Sequence, residues 1–265
     1  MRRLIAAFFL TTALAGCFQS ETIVRVRADG SGTIEQVFTM SKATVAQMRA
    51  FSAEMGGEPF TLMDVEKLEA QAAQMGEGVR FVTAEPISDA DEEGYRAVYA
   101  FTDVTALRLS TSGPDLGEDS AEPTGPPITF AFEPGTPATL TIRQPQTPEP
   151  DSTQIAQQEQ HVEETLADSA ATAMLHEQAA ALFEGMHVRM IVEPQGEIAE
   201  TSATFREDDA VVLFDLDMSA LLEHPEQLVA LQVAGTRSPT EMKELLSDIP
   251  GLQVEPQETV TVVFE

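Results

Sequence analysis

Cysteine is almost missing from this chain: Cys17 is the single one in 265 residues. One thiol closes no disulfide within a chain, so stability must rest on core packing. It also excludes any site built on two or more thiolates. Tryptophan is absent and tyrosine occurs twice. The flat aromatic faces on which sugars stack are therefore scarce, which argues against a carbohydrate site. Lysine occurs three times, at Lys42, Lys67 and Lys243. Lys and Arg together number 15 against 44 Asp and Glu, a net charge of −29. Such a field repels nucleic acid and anionic headgroups, and favours solubility and cationic partners. Long apolar runs are lacking too: after residue 17 none approaches the ~20 residues of a membrane-spanning helix.

What is present begins at the start of the chain. Arg2 and Arg3 precede the apolar stretch LIAAFFLTTALAG, the order of a secretory signal peptide. Residues 14–17 then read Leu14-Ala15-Gly16-Cys17. This resembles the lipobox of bacterial lipoproteins. The resemblance implies cleavage before Cys17, a diacylglycerol thioether on its sulfur and an amide-linked acyl chain on its nitrogen. Two or more acyl chains anchor a protein stably, whereas one does not. Phe18 stands where an Asp would retain such a protein in the inner membrane, so the resemblance implies the outer membrane, facing the periplasm. The expected organisation is a signal peptide at 1–16, a lipidated tether at 17–21 and an α+β periplasmic domain at 22–265, with a possible subdivision at the Pro-rich linker 144–153. Removal of residues 1–16 leaves 13 basic against 44 acidic residues, a mature charge of −31.

Along the domain, 22–28 and 33–39 alternate in polarity around Asp29-Gly30-Ser31-Gly32, a strong hairpin signal. Ser41 suits an N-cap, and Val45, Met48, Phe51 and Met55 follow at helical spacing up to Gly56-Gly57. A second helix is expected from about Thr61 to Met75. Strands are expected at 79–84 and 95–102, at 128–133 and 138–143, at 187–193, 197–205 and 210–216, and at 258–264. Residues 112–127 read as loop. From 153 to 183 there is neither Gly nor Pro, and the pattern predicts one long amphipathic helix. Short helices are expected near 218–231 and 239–247. Asp103 and Asp217 each follow a strand end and suit the N-cap of a short helix.

Motifs for catalysis are few. Gly30-Ser31-Gly32 lacks the lysine of a phosphate loop and the third glycine of a dinucleotide loop. His176-Glu177 has Ala180 where a zinc-protease helix needs its second histidine, and His161, His176, His187 and His224 show no ligand spacing. Asp89, Asp91 and Glu93, with Gly94 next, resemble the front of an EF-hand loop, but Ala100 stands at the position of the bidentate Glu. They form a weak Ca²⁺ candidate within an acidic turn. Asp215 and Asp217 share one face of a strand end, the least poor site for a hydrolase-type enzyme.

The stretch 188–217, VRMIVEPQGEIAETSATFREDDAVVLFDLD, places a Pro-x-Gly turn between strands. With the lipobox and the first Gly-rich hairpin, it resembles LppM-type domains of bacterial lipoproteins. That resemblance implies an α+β fold and a connection with envelope lipids; no site residue is carried over. The expected fold is α+β, antiparallel sheet built from hairpins with the long helix packed on one face. The expected function is that of a non-enzymatic, membrane-anchored envelope lipoprotein binding a protein partner or lipid-like ligand, without cofactor or nucleic acid. The alternatives are a hydrolase using Asp215 and Asp217, and a structural docking module acting through the 153–183 helix.

Overall fold

The Asp29-Gly30 turn forms as the sequence pattern requires. Gly30 N–H donates to the Arg27 carbonyl at 2.9 Å and Arg27 N–H to that of Ser31 at 2.8 Å. Gly30 takes φ 81°, in the left-handed region. A Cβ there would also lie 2.9 Å from the ring of Phe132, so this glycine admits the second sheet at close range. The structure, a computed structural model, describes residues 18–56, 60–110, 126–145, 183, 185–224 and 249–265.

The turn joins β1 (Phe18–Val26) to β2 (Gly32–Ser41). Helix α1 (Lys42–Glu54) starts at Ser41, whose Oγ accepts from Thr44 N–H, and helix α2 (Val65–Gln74) starts at Asp64, which accepts from Glu66 and Lys67 N–H. Strands β3 (Arg80–Ser88) and β4 (Glu92–Phe101) follow, then β5 (Arg108–Leu109), β6 (Ile128–Glu133) and β7 (Ala138–Arg143). The remaining elements are β8 (His187–Pro194), β9 (Ile198–Thr201), β10 (Arg206–Glu207), β11 (Ala210–Asp217), helix α3 (Met218–Leu222), β12 (Leu252–Val254) and β13 (Thr259–Phe264).

These strands make two sheets. The first has eight strands in the order β10-β11-β8-β1-β2-β4-β3, with β12 also on β11. The second has five, in the order β5-β6-β7-β13-β9. Every pair is antiparallel except β1 with β8, which run parallel in the register Gln19↔His187 to Val26↔Pro194. One apolar core lies between the sheets. Val24, Val26, Ile34, Phe38, Tyr99 and Phe101 come from the first; Phe130, Leu140, Ile142, Val260, Val262 and Phe264 come from the second. Leu68, Ala72 and Met75 of α2 and its C-cap join it. A smaller cluster of Met218, Leu221, Ile249 and Leu252 seats α3.

Several expectations need correction. The fold is mostly β, with two sheets that bury their apolar faces against a shared core. The helices among the described residues are short, of 13, 10 and 5 residues, and none is a long amphipathic helix packed on a sheet. The expected helix at 153–183 lies outside the described residues apart from Phe183, as do most of the 144–153 linker, most of the 112–127 loop, the 239–247 helix and the end of the 218–231 helix. Residues 18–21, expected as tether, belong to β1 and pair with β2, and residues 19–21 pair with β8 as well. The expected strand 197–205 is two strands in different sheets, β9 and β10. The second helix starts at Asp64 rather than Thr61, because the Asp carboxylate caps the first turn. Helical spacing placed Phe51 and Met55 with Val45, yet they are 67% and 73% exposed.

Candidate functional site

The outward face of the first sheet carries the polar half of each alternating strand. Because β1, β8 and β11 are in register, their odd-numbered charged residues line up across strands. Arg25 sits between Glu35, 2.6 Å from its Nη1, and Glu193, 3.0 Å from its Nε, while Arg96 reaches Glu35 at 3.2 Å. Burial opposes the charge on Arg25, but the bond to Glu35 and the nearby Glu193 outweigh it and raise its pKa. Next to this group, Arg189 approaches Glu21 at 3.9 Å and Asp215 at 3.4 Å, and pairs with Glu207. The other oxygen of Asp215 lies 2.8 Å from His187 Nε2.

His187 and Asp215 open onto a cleft of about 420 Å³. Asp217 completes its polar side, and Phe205, Ile249 and Leu252 supply an apolar side. The Pro250-Gly251 turn also lines the cleft. Gly251 takes φ +78°, and a Cβ on it would lie 2.6 Å from the Asp217 carbonyl, so the turn fits there only as glycine. Its carbonyl accepts from Asp217 N–H at 2.7 Å. No Ser, Thr, Cys or Lys among the described residues lines the cleft. A His–carboxylate pair there can hold or relay a proton and can bind a hydrogen-bonding or cationic group.

Asp215 and Asp217 therefore reach the same cleft but do different work. Asp217 caps α3, accepting from Ser219 N–H at 2.9 Å and Ala220 N–H at 3.3 Å. Asp103 caps a 3-10 turn at Val104–Ala106 in the same way, through Thr105 N–H at 2.9 Å. Sequence reasoning missed His187 and Arg189 as the partners of Asp215. The available signal was the two-residue period of His187-x-Arg189 and Asp215-x-Asp217, which puts all four on one face once the strands pair.

The acidic turn is organised by hydrogen bonds. Asp89 Oδ1 accepts from Asp91 N–H at 2.9 Å and Glu92 N–H at 2.8 Å. These bonds, with Glu92 the stronger influence, hold the Asp89 pKa below its ordinary value. Glu93 forms an ion pair with Arg49 at 2.8 Å, and the Asp89 carbonyl accepts from Lys42 Nζ. Among the described residues no group of three or more His, Cys, Asp or Glu side chains is placed to hold a metal ion. Cys17 lies outside the described residues.

One carboxylate is deeply buried. Glu255, 3% exposed, accepts from Thr204 N–H at 2.6 Å, Phe205 N–H at 3.2 Å, Thr204 Oγ1 at 3.1 Å and its own neighbour Gln257 N–H at 3.1 Å. It clamps the segment in which the chain passes from β9 in the second sheet to β10 in the first. Its role is to fasten that crossing, and with its oxygens so occupied it offers nothing to a ligand.

No family model and no curated protein matches the chain. Among solved structures, the folded domain of the Mycobacterium tuberculosis LppM protein is similar at 11% identity and a TM-score of 0.29, over 76% of this chain and 84% of that one. At that score the likeness establishes neither a shared fold nor a shared site, and no residue is carried across.

Proposed function

We propose that the chain is a lipid-anchored bacterial envelope lipoprotein whose domain binds a protein partner or lipid-like ligand rather than catalysing a reaction. The observation that carries this reading is Leu14-Ala15-Gly16-Cys17 behind an apolar leader and directly before the first strand. Acylation at Cys17 would hold the domain at a membrane, and Phe18 in the following position favours the outer one, on its periplasmic side. The cleft at His187 and Asp215 is the preferred binding site. Its apolar side suits a hydrocarbon or apolar side chain, and its carboxylates suit a cationic or hydrogen-bond-donating head.

Expression of the wild-type chain and of Cys17→Ser in a Gram-negative host tests the anchor. The wild type is expected in the membrane fraction and the detergent phase, and Cys17→Ser in the soluble fraction. Membrane retention of Cys17→Ser after removal of residues 1–16 would overturn the reading. A hydrolase using Asp215 is the second reading, favoured only by the 2.8 Å contact of His187 with Asp215. It requires turnover that Asp215→Asn abolishes.

A further inference from the structure

The first sheet begins with no slack after Cys17. Phe18 already pairs with Met40, and Gln19 with His187. Adjacent Cα atoms are about 3.8 Å apart, so acyl chains on Cys17 would place this end of the sheet at the bilayer surface. Register defines which residues share that end. Ser41 pairs with Glu92, Ser88 with Glu93, and His187 with Asp217.

Helix α1 starts at this end and stays near it. Lys42 N–H donates to the Asp91 carbonyl at 2.8 Å. Arg49 lies about 10 Å further along the helix, yet its guanidinium is 2.8 Å from Glu93, near the start of β4. Val45 is the buried residue of the helix. About two to three turns beyond Val45, Phe51 and the C-cap Met55 stand exposed at 67% and 73%. Spaced four apart, they form one apolar patch on a single helix face.

We propose that Phe51 and Met55 dock into the lipid bilayer to which Cys17 is anchored, holding the domain in a fixed orientation. The inference rests on the lipoprotein reading. Two observations favour a membrane as occupant. The apolar leader and its Cys17 end at the very strand from which this end of the sheet is built. The two exposed apolar side chains are an aromatic and a methionine, both of which gain from transfer out of water. The neighbouring acidic turn at 89–93 opposes anionic headgroups, so docking is through apolar insertion into a neutral bilayer.

The absence of Trp makes the test direct. Phe51→Trp gives the chain its only indole at an exposed position, and Val82→Trp, at a site 52% exposed on β3, gives a control. Each lipidated full-length variant is placed in phosphatidylcholine vesicles with and without brominated lipid. The expected result is a blue-shifted Phe51→Trp emission that brominated lipid quenches, with Val82→Trp unaffected. Emission of Phe51→Trp as water-exposed as the control, on a chain shown by mass to be acylated, would overturn the docking and leave the anchor standing. A shift present without vesicles and lost on dilution would assign the patch to a second copy of the chain and also overturn it. An unmodified Cys17 thiol would remove the anchor and the docking together.

Discussion

Glu255 is the residue on which the join between the sheets depends. Its oxygens answer three backbone N–H groups and one hydroxyl, and the side chain is nearly out of water. Truncation leaves those donors without an acceptor, and hydrogen bonds to a charged group are the strong ones. Glu255→Ala is expected to cost about 3 kcal/mol by urea denaturation, and a loss below about 0.5 kcal/mol, the size of an ordinary surface substitution, would contradict the role. The two tyrosines make a second residue-scale case. Both lie on β4, and burial holds both phenols above the ordinary value of 10, with the neighbouring Tyr95 adding to the effect at Tyr99. The unfolded chain loses these protons near pH 10 while the folded chain keeps them. Stability from this source is thus complete below pH 10 and is lost as pH rises above it. With no Trp in the chain, phenolate absorbance reads these two groups alone. Its rise is expected to coincide with loss of circular dichroism above pH 10. Ordinary titration on a folded protein would contradict the burial.

Among the elements, most strands and the β1–β2 hairpin were legible, and the long-range partners were not. Alternation and the Asp29-Gly30 turn mark β1 and β2, and Ile128–Glu133 and Ala138–Arg143 fall where the pattern puts strands. A period of two shows which face is apolar, but not which sheet a strand joins. That is why 197–205 read as one strand, although Ser202–Phe205 carries the chain from one sheet to the other. Helix caps were readable because a short polar side chain at a strand exit acts locally, and Ser41, Asp103 and Asp217 all cap. The apolar residues of α1 were misleading for the opposite reason. Helical spacing identifies a shared face without saying what covers it, and Phe51 and Met55 are exposed. The cap role of Asp217 separates from any binding role of its neighbours. Asp217→Ala is expected to lower stability by about 1 kcal/mol in thermal unfolding while Asp217→Asn keeps most of it. His187→Ala, which removes a partly exposed pair, is expected to cost less than Asp217→Ala. Equal losses would contradict the assignment of Asp217 as a cap.

For the molecule as a unit, the decisive contacts join distant parts of the chain. The parallel pairing of β1 with β8 connects residues near position 20 with residues near 190, and no local pattern announces it. This pairing sets Arg189 opposite Glu21, and the antiparallel pairing of β8 with β11 brings Arg189 and His187 to Asp215 at the cleft. The pairing of β1 with β2 draws Phe18 into the sheet and removes the expected tether, so a lipid on Cys17 would hold the sheet end at the membrane. The anchor carries the most weight, since the orientation of the domain and its place of action both follow from it. Intact mass spectrometry of the full-length chain recovered from Gram-negative membranes decides it. The expected result is a mature chain beginning at Cys17 and carrying a diacylglycerol and an amide-linked acyl chain. A free thiol at Cys17, or a chain cleaved elsewhere, would contradict it.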